Sequence, residues 1–345
     1  MKPQYLIAIL FAVASYFMYL LYKPFLLAIL IAGLLALSTA NIQTFFEKKF
    51  KSRLYASISV SVLLAILFFA PLGYFLATIT IKLNTLDAGT LLKIENYIHS
   101  FAINPPSYLL FLKPYALDFL QNFDTNYVAK DALMLATKIG SLSASFLKNT
   151  LLIIIFYFFA QYNSSAMLDF LKRVLQISAD ETAIVVKELA SVMSVVFYSI
   201  IATAMFEGLL FGIAVSYMGY NGILFGIMYG FASLIPVIGG VIMWLPFMIY
   251  ELSIGDTYSA LFIAIYSIVI ISIVADTFIK PMIIGAINKQ ILDADATKMN
   301  ELLIFFAIIA GLSTFGFWGM ILGPAITAFF FTILKLFEAR SKEVF

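Results

Sequence analysis

Residues 222–246 read GILFGIMYGFASLIPVIGGVIMWLP, an apolar stretch that proline and glycine interrupt in its middle. A second stretch of this kind, GLSTFGFWGMILGP, covers residues 311–324. A helix surrounded by lipid has no water to satisfy a broken backbone, so breaks at membrane depth are tolerated only where protein or a water-filled cavity covers them. Paired interrupted segments are also the best sequence pointer to the binding site of a transporter. The two stretches therefore predict a membrane protein with two broken, re-entrant hairpins.

The composition of the 345-residue chain supports membrane insertion. Hydrophobic residues make up 63% and charged residues 12% of the sequence, whereas soluble domains contain about 25% charged residues. The net charge of +2 gives no sign of a polyanionic partner, so we expect no binding to nucleic acid. The chain has no cysteine, and its one histidine, His99, lies in a polar stretch typical of a protein surface. We therefore expect neither a cofactor nor a metal site, and membrane lipid as the surrounding partner.

The hydropathy pattern predicts an all-α polytopic fold with about eight membrane segments. Residues 1–81 contain three apolar runs and form the N-terminal transmembrane helices. Residues 82–148 are too polar to span a membrane and form an external helical region. Residues 149–345 form a transport core. Its parts are a polar cytoplasmic linker and the two broken hairpins, at residues 164–187, 222–252 and 301–337.

Apolar residues recur at spacings of four and three from Val128 to Phe146 in the external region. This spacing predicts a helix with a coiled-coil stripe that continues without a break into the membrane segment beginning near Leu151. The stripe favours assembly into a homo-oligomer. Packing of the stripe within the same subunit is the alternative interpretation.

The distribution of basic residues predicts the orientation of the chain in the membrane. The short connector after the second apolar run is rich in basic residues and should face the cytoplasm; its charged residues are Glu47, Lys48, Lys49, Lys51 and Arg53. The basic residues near the C-terminus reach the same side only if the first broken segment returns to the side from which it starts. We therefore expect a multi-pass protein of the bacterial inner membrane with both termini in the cytoplasm.

Glycines and prolines of the broken hairpins are the first candidate site residues. Gly222, Gly226 and Gly230 recur every fourth residue on one helical face, which predicts close helix packing. Pro236 removes a backbone donor, and the neighbouring Gly239 and Gly240 permit unusual backbone angles. The resulting turn would present free backbone groups to a substrate or an ion. The equivalent residues of the second hairpin are Gly311, Gly316, Gly319 and Pro324.

One carboxylate, Glu207, lies well inside an apolar segment, in the sequence FEGLLFG. A charged side chain near the centre of a bilayer costs about 2.5–3.5 kcal/mol on insertion scales, so residues tolerated there are usually functional. Glu207 is therefore the best candidate for a group on the substrate or ion pathway. A protonated or hydrogen-bonded glutamate near the membrane interface is the alternative.

Further charged residues lie at the ends of the apolar segments. Asp276 precedes Lys280 at the i,i+4 spacing of a helix, and Pro281 follows. This pair is a candidate gate on the cytoplasmic side, with a simple interfacial ion pair as the alternative. Glu251 and Asp256 are interpreted as solvated charges of a connector.

Motifs for nucleotide hydrolysis and metalloprotease chemistry are absent from the sequence. The chain contains neither GxxxxGK[ST] nor HExxH, and one histidine in a polar stretch does not support a membrane-embedded serine–histidine pair. We therefore expect no enzymatic activity.

At these motifs the chain resembles the AI-2E family of transporters, and the resemblance covers nearly the whole length. The matching parts are the IPVIGG stretch around Pro236, the stretch from Asp276 to Pro281 with Gly285 after it, and the closing pattern from Gly311 to Pro324. The chain departs from the family at Lys298-Met299-Asn300-Glu301, where a His-Pro-like pair is common. The family name implies export of the signal autoinducer-2, and the family has also been linked to sodium/proton antiport and to other solutes.

The resemblance and the residues together predict a secondary transporter or facilitated exporter of a small polar solute, such as an autoinducer-2-like signal or a related metabolite. A sodium/proton antiporter is one alternative. A channel that uses the same broken hairpins as a filter is another. A membrane scaffold that assembles partners through the external stripe and transports nothing is the third.

Overall fold

The computed structural model describes residues 3–83, 126–167, 179–235, 238–279 and 300–344, together with single positions between these ranges. Its α-helices are α1 (Pro3–Tyr22), α2 (Leu26–Ser38), α3 (Ala40–Phe50), α4 (Arg53–Leu83), α5 (Asn126–Tyr162), α6 (Ala179–Tyr217), α7 (Gly222–Ala232), α8 (Gly239–Ser253), α9 (Thr257–Ile265), α10 (Glu301–Phe315) and α11 (Gly319–Val344). A π-helix, Tyr266–Ile279, follows α9 directly. The continuity of α5 agrees with the prediction that one helix runs from the external region into a membrane segment.

The predicted all-α polytopic membrane fold is confirmed. Within the described ranges, five helical stretches are long and apolar enough to cross a membrane: Tyr5–Tyr22, Arg53–Phe75, Ala144–Tyr162, Thr182–Tyr217 and Thr257–Val274. The bent pair α2–α3 makes a sixth if it counts as one crossing. The helices α7, α8, α10 and the first part of α11 are apolar but shorter, as broken hairpins require.

The chain divides into two compact units. The first unit consists of Met1–Ile66, Leu147–Phe197 and Leu292–Phe345, and it contains the hairpin α10–α11. The second unit consists of Leu67–Phe146 and Tyr198–Ile291, and it contains the hairpin α7–α8.

Backbone contact between α6 and α7 organises the second unit. A Cβ atom built on Gly208 would lie 2.5 Å from the carbonyl oxygen of Gly226, and one built on Gly212 would lie 2.6 Å from that of Gly222. One turn further along, a Cβ on Gly230 would lie 2.8 Å from the oxygen of Ala204. The two helices are therefore antiparallel and in register at every fourth residue. We call this contact the glycine seam, formed by Ala204, Gly208 and Gly212 of α6 and by Gly222, Gly226 and Gly230 of α7.

The hairpin α7–α8 returns to the end at which it begins. The eleven residues of α7 extend about 16 Å, which is only half of a hydrocarbon core. At its tip, a Cβ on Gly239 would collide with the carbonyl group of Ala232, so the two helices turn tightly there. At its open end, Tyr220 before α7 contacts Tyr250 and Glu251 at the end of α8. This is the path that the charge pattern predicts.

The hairpin α10–α11 of the first unit repeats the same design. Cβ atoms on Gly311 and Gly319 would each collide with the other residue's carbonyl group, and one on Gly323 would collide with that of Ala307. The break between the helices begins at Gly316, which has a φ of 68° that favours glycine. Two antiparallel helices thus approach as closely as backbone atoms allow.

A sharp bend between α2 and α3 was not apparent from the sequence. The two helices meet at 65° around Thr39, although the residues before it form a continuous apolar run. The hydroxyl groups of Ser38 and Thr39 donate to the carbonyl oxygen of Leu35 at 2.9 and 2.7 Å. Such local bonds offer the backbone an alternative to helix continuation and often bend helices. The predicted basic connector is accordingly a helix, α3.

The π-helix Tyr266–Ile279 is a second unexpected feature, because the sequence predicts an ordinary membrane segment there. The hydroxyl of Ser272 donates to the carbonyl oxygen of Ser267 at 3.2 Å, a spacing of five residues. π-helical geometry is rare and is found frequently at functional sites. The π-helix Tyr266–Ile279 is therefore a candidate part of a functional site in the second unit.

The glycine seam predicts the effect of adding one methyl group. Gly226→Ala should lower the free energy of unfolding by about 1–3 kcal/mol, because its Cβ would lie 2.7 Å from the oxygen of Gly208 and force the helices apart. Gly73→Ala, in α4, is the matched control, since a Cβ there meets no atom within 4 Å. Thermal unfolding in detergent should show a lower midpoint for Gly226→Ala and an unchanged or higher one for Gly73→Ala. Equal midpoints for the two variants would contradict close packing at the seam.

Candidate functional site

Glu207 lies deep in the second unit, where 7% of its surface is exposed. It is ten residues from the end of α6 at Tyr217. With a rise of 1.5 Å per residue this separation is about 15 Å, which is half the thickness of a hydrocarbon core. The carboxyl group is thus buried well inside the apolar stretch Thr182–Tyr217 and not at its end.

Two hydroxyl groups extend the buried polar face of α6. Ser199 and Thr203 precede Glu207 at intervals of four residues, so that the three side chains lie on one side of the helix. In the described part of the chain, the hydroxyl oxygens of Ser199 and Thr203 are buried and have no hydrogen-bond partner. We call Ser199, Thr203 and Glu207 the polar stripe. The opposite face of the helix is apolar and exposed, as expected for contact with lipid; its residues are Met205, Leu209 and Ile213.

The polar stripe is level with the tip of the hairpin α7–α8. Gly208, next to Glu207, lies against the backbone of Gly226 and Gly230, close to the end of α7. One turn beyond Glu207, the ring of Phe211 stacks on that of Tyr229, with 4.5 Å between the ring centroids. The hydroxyl of Tyr229 would lie 2.7 Å from a Cβ on Gly240 of α8. The ring of Tyr229 thereby links the turn of α6 that follows Glu207 to the first turn of α8.

Two more polar atoms are buried in this unit without a hydrogen-bond partner among the described residues. They are the hydroxyl of Ser267 in the π-helix and the indole Nε1 of Trp244 in α8. Ser267 lies between Ile263 and Ile271, which pack in one apolar cluster with Phe211 and Tyr229, and Trp244 packs against the same cluster. A buried polar group without a partner costs about 1–3 kcal/mol. Water or a bound solute would remove that cost at each group.

At the open end of the hairpin, the predicted solvated charge Glu251 is a buried side chain, and that prediction is wrong. Only 2% of its surface is exposed, and its carboxylate accepts a hydrogen bond from the hydroxyl of Tyr220. Burial, and then the bond to Glu251, raises the pKa of Tyr220, so the phenol keeps the proton that it donates. The contact brings the loop before α7 onto the last turn of α8.

Neighbouring residues at the same end of the unit have conventional roles. Asn221 caps α7 by accepting from the backbone N–H of Leu224 at 3.0 Å, and its amide donates to the hydroxyl of Tyr74 at 3.2 Å. Asp256 is exposed and caps α9, where the backbone N–H and the hydroxyl of Ser259 hold its pKa below the usual value. Asp256 therefore matches the prediction of a solvated connector charge.

The first unit has its own buried polar centre at the bend after α2. The hydroxyl groups of Thr39 and Tyr157 share a hydrogen bond of 2.6 Å. The side-chain amide of Gln161 donates to both, at 3.0 and 3.1 Å, and to the carbonyl oxygen of Ala36 at 3.3 Å. Ser194 of α6 donates to the carbonyl oxygen of Ser38 at 2.9 Å. These bonds satisfy the backbone at the bend and fix it to α5 and α6.

A second set of bonds continues this centre along α3. The amide nitrogen of Gln43 donates to the hydroxyl of Ser57 and to the carboxylate of Glu47, both at 2.9 Å. Arg53 lies 3.6 Å from the same carboxylate and donates to the carbonyl oxygen of Gln161. Because the protein satisfies most of these groups, we interpret this centre as structural support for the bend.

The residues predicted for the hairpins lie either within helices, some of them at close helix contacts, or in the break between two helices. Gly239 and Gly240 form the first turn of α8, and Gly311 and Gly319 lie at the contact between α10 and α11. Gly316, with its positive φ, lies in the break between α10 and α11. Pro324 is buried within α11. Pro236 lies outside the described residues.

The predicted cytoplasmic gate is only partly visible. Asp276 lies in the π-helix, Pro281 is exposed, and Lys280 lies outside the described residues. Ser199, Thr203 and Ser267 were not among the site residues predicted from the sequence. The first two follow the four-residue spacing that ends at Glu207, and this signal was available in the sequence.

Comparison with known proteins identifies close and full-length similarity. The family model described as AI-2E family transporter matches residues 5–339. A protein of Helicobacter pylori strain ATCC 700392 / 26695, named "Putative transport protein", is 36% identical over 342 residues, which cover 98% of this chain and 97% of that protein. Its counterpart in strain J99 / ATCC 700824, with the same name, is 35% identical and covers 98% and 96%. A protein of Treponema pallidum with that name is 38% identical over 112 residues, 31% of this chain and 24% of that protein.

The buried contact at the open end of the hairpin predicts a measurable loss of stability. Tyr220→Phe should lower the free energy of unfolding by about 1–3 kcal/mol, because the buried carboxylate of Glu251 loses its phenol donor. Tyr258→Phe removes a hydroxyl from a side chain that is 72% exposed and should leave stability unchanged. Chemical denaturation of the two variants in parallel measures the difference. A Tyr220→Phe variant as stable as the control would show that the phenol does not support Glu251.

Proposed function

We propose, since the chain belongs to the AI-2E transporter family, that it moves a small polar solute across a bacterial inner membrane by secondary transport or facilitated export. The solute is an autoinducer-2-like signal or a related metabolite, and the chain is not an enzyme. The general activity, transport, is inferred from the similarity to transport proteins. The chemistry proposed for this activity is inferred from the residues of the second unit.

The observation that supports this function best is the polar stripe of α6. It places two hydroxyl groups, which have no hydrogen-bond partner among the described residues, and one buried carboxyl group at successive helix turns, and we place these turns inside the bilayer. Ionisable residues at this depth are rare and usually mark substrate, ion or proton pathways. The stripe therefore forms one wall of the path, and Glu207 is its proton- or cation-sensitive group.

The chemistry of the wall indicates the class of solute. Hydroxyl groups and a carboxyl group bind small hydroxylated molecules by donating and accepting hydrogen bonds, and the indole of Trp244 adds a donor. The glycine seam fills the space between α6 and α7 with backbone atoms, so Gly222, Gly226 and Gly230 serve helix packing. The path accordingly follows the polar stripe and not the seam.

Other predicted pathway residues complete the proposal. In the second unit, the backbone of Gly239 and Gly240 at the tip of the hairpin α7–α8 contributes to the path. Pro236 and Gly316 stay candidate pathway residues. Asp276 with Lys280 is the gate on the cytoplasmic side, and Pro281 is a further pathway residue. Both termini face the cytoplasm, and the stripe of α5 from Val128 to Phe146 joins subunits of a homo-oligomer.

Replacement of the buried carboxyl group tests the function. Glu207→Gln keeps the size and hydrogen bonding of the side chain but removes its titration. In proteoliposomes loaded with labelled hydroxylated solutes, we expect at least tenfold slower transport under an imposed proton or sodium gradient. Glu338→Gln, an exposed position near the C-terminus, is the matched control and should transport at the unsubstituted rate.

The outcomes separate the possible mechanisms. Unchanged transport with unchanged gradient dependence in Glu207→Gln would remove Glu207 from the mechanism. Proton release driven by sodium in the absence of any organic solute would favour the sodium/proton antiporter. Steady single-channel currents in planar bilayers would favour a channel.

A further inference from the structure

Helix α3 lies between two apolar helices, α2 and α4. It follows α2 after the 65° bend at Thr39, and the apolar stretch Arg53–Phe75 begins three residues after its end. We place α3 at the membrane surface, because it is bent by 65° from α2 and ends in the charged residues Glu47, Lys48 and Lys49. Its eleven residues extend about 16 Å.

The inner face of α3 is fixed to the protein. Gln43 is buried and bonded to Ser57 of α4 and to Glu47. Arg53 bonds the carbonyl oxygen of Gln161 and the hydroxyl of Ser165, so its guanidinium group points into the unit. The orientation of α3 about its own axis is therefore determined.

The outer face of α3 combines an aromatic ring with positive charges. Phe45 is 60% exposed, and the rotation of about 100° per residue places it between Lys48 and Lys49 around the helix. Lys51 follows at the end of the helix and is also exposed. The carboxylate of Glu47 is engaged by Gln43 and Arg53, so the described residues supply no counter-charge to these three lysines.

We propose that the outer face of α3 is a docking site for the headgroups of anionic phospholipids. A surface helix with an apolar side chain flanked by lysines lies in the interfacial plane, with its apolar group inserted among the acyl chains. Each basic residue near an anionic membrane surface contributes a factor of about five in affinity. Lys48, Lys49 and Lys51 bind the lipid phosphates, and Phe45 anchors the helix between them. This site is independent of the transported solute.

Fluorescence quenching by brominated lipids tests the site directly. The full-length Phe45→Trp variant is reconstituted in phosphatidylcholine nanodiscs that contain equal fractions of either brominated phosphatidylglycerol or brominated phosphatidylcholine. Emission from Trp244 and Trp318, measured in the unsubstituted protein, is subtracted. We expect quenching by brominated phosphatidylglycerol to be about twofold stronger or more, and the difference to shrink in high salt.

Removal of the lysines provides the decisive comparison. In the Phe45→Trp background, Lys48→Gln, Lys49→Gln and Lys51→Gln together should make the two lipids quench equally. Lys113→Gln, Lys148→Gln and Lys187→Gln remove the same charge elsewhere in the chain and should preserve the preference. Equal quenching before the lysines are removed, no quenching by either lipid, or a preference that survives their removal would each overturn the proposal. Loss of the preference in the control set would also overturn it, because net charge alone would then explain the effect.

Discussion

Backbone contact between antiparallel helices is the interaction on which both hairpins depend. A hairpin too short to cross the bilayer must have its broken backbone covered by protein, because lipid cannot satisfy it. In the second unit, the glycine seam brings α7 against α6 with no side chain between them. In the first unit, the pairs Gly311–Gly319 and Ala307–Gly323 bring α10 against α11 in the same way. Such close approach also permits Cα–H···O contacts between the backbones. The four-residue spacing of the glycines is thus explained by helix packing and does not by itself indicate a pathway.

This architecture could be predicted from the sequence because it depends directly on composition and on the spacing of apolar residues, glycine and proline. Apolar length, the glycine repeat and the broken segments identify the helices and the first hairpin. The bend at Thr39 was not predictable in this way, because its cause is a set of bonds to Tyr157 and Gln161, more than a hundred residues away. The prediction that Glu251 is solvated was wrong for the same reason. Its hydrogen-bond donor, Tyr220, lies 31 residues earlier in the chain.

The two polar centres differ in how far the protein satisfies them. Around Thr39, hydroxyl and amide groups bond one another and hold a bend in place. Along α6, Ser199 and Thr203 have no hydrogen-bond partner within the described residues, and a carboxyl group follows on the same face. A satisfied network stabilises one structure, whereas unsatisfied groups at membrane depth are available to water, ions or solutes. This difference is the reason for assigning the transport path to α6 and a structural role to the bend.

The absence of cysteine from the chain permits a direct measurement of that assignment. Single cysteines are introduced at Thr203, on the polar stripe, and at Met205, on the exposed apolar face of the same helix. The membrane-embedded protein is then treated with a small, charged, water-soluble thiol reagent. We expect Thr203→Cys to be modified, transported solutes to slow its modification, and Met205→Cys to stay unmodified in lipid. An unmodified Thr203→Cys, or a modified Met205→Cys, would contradict a polar path along this face of α6.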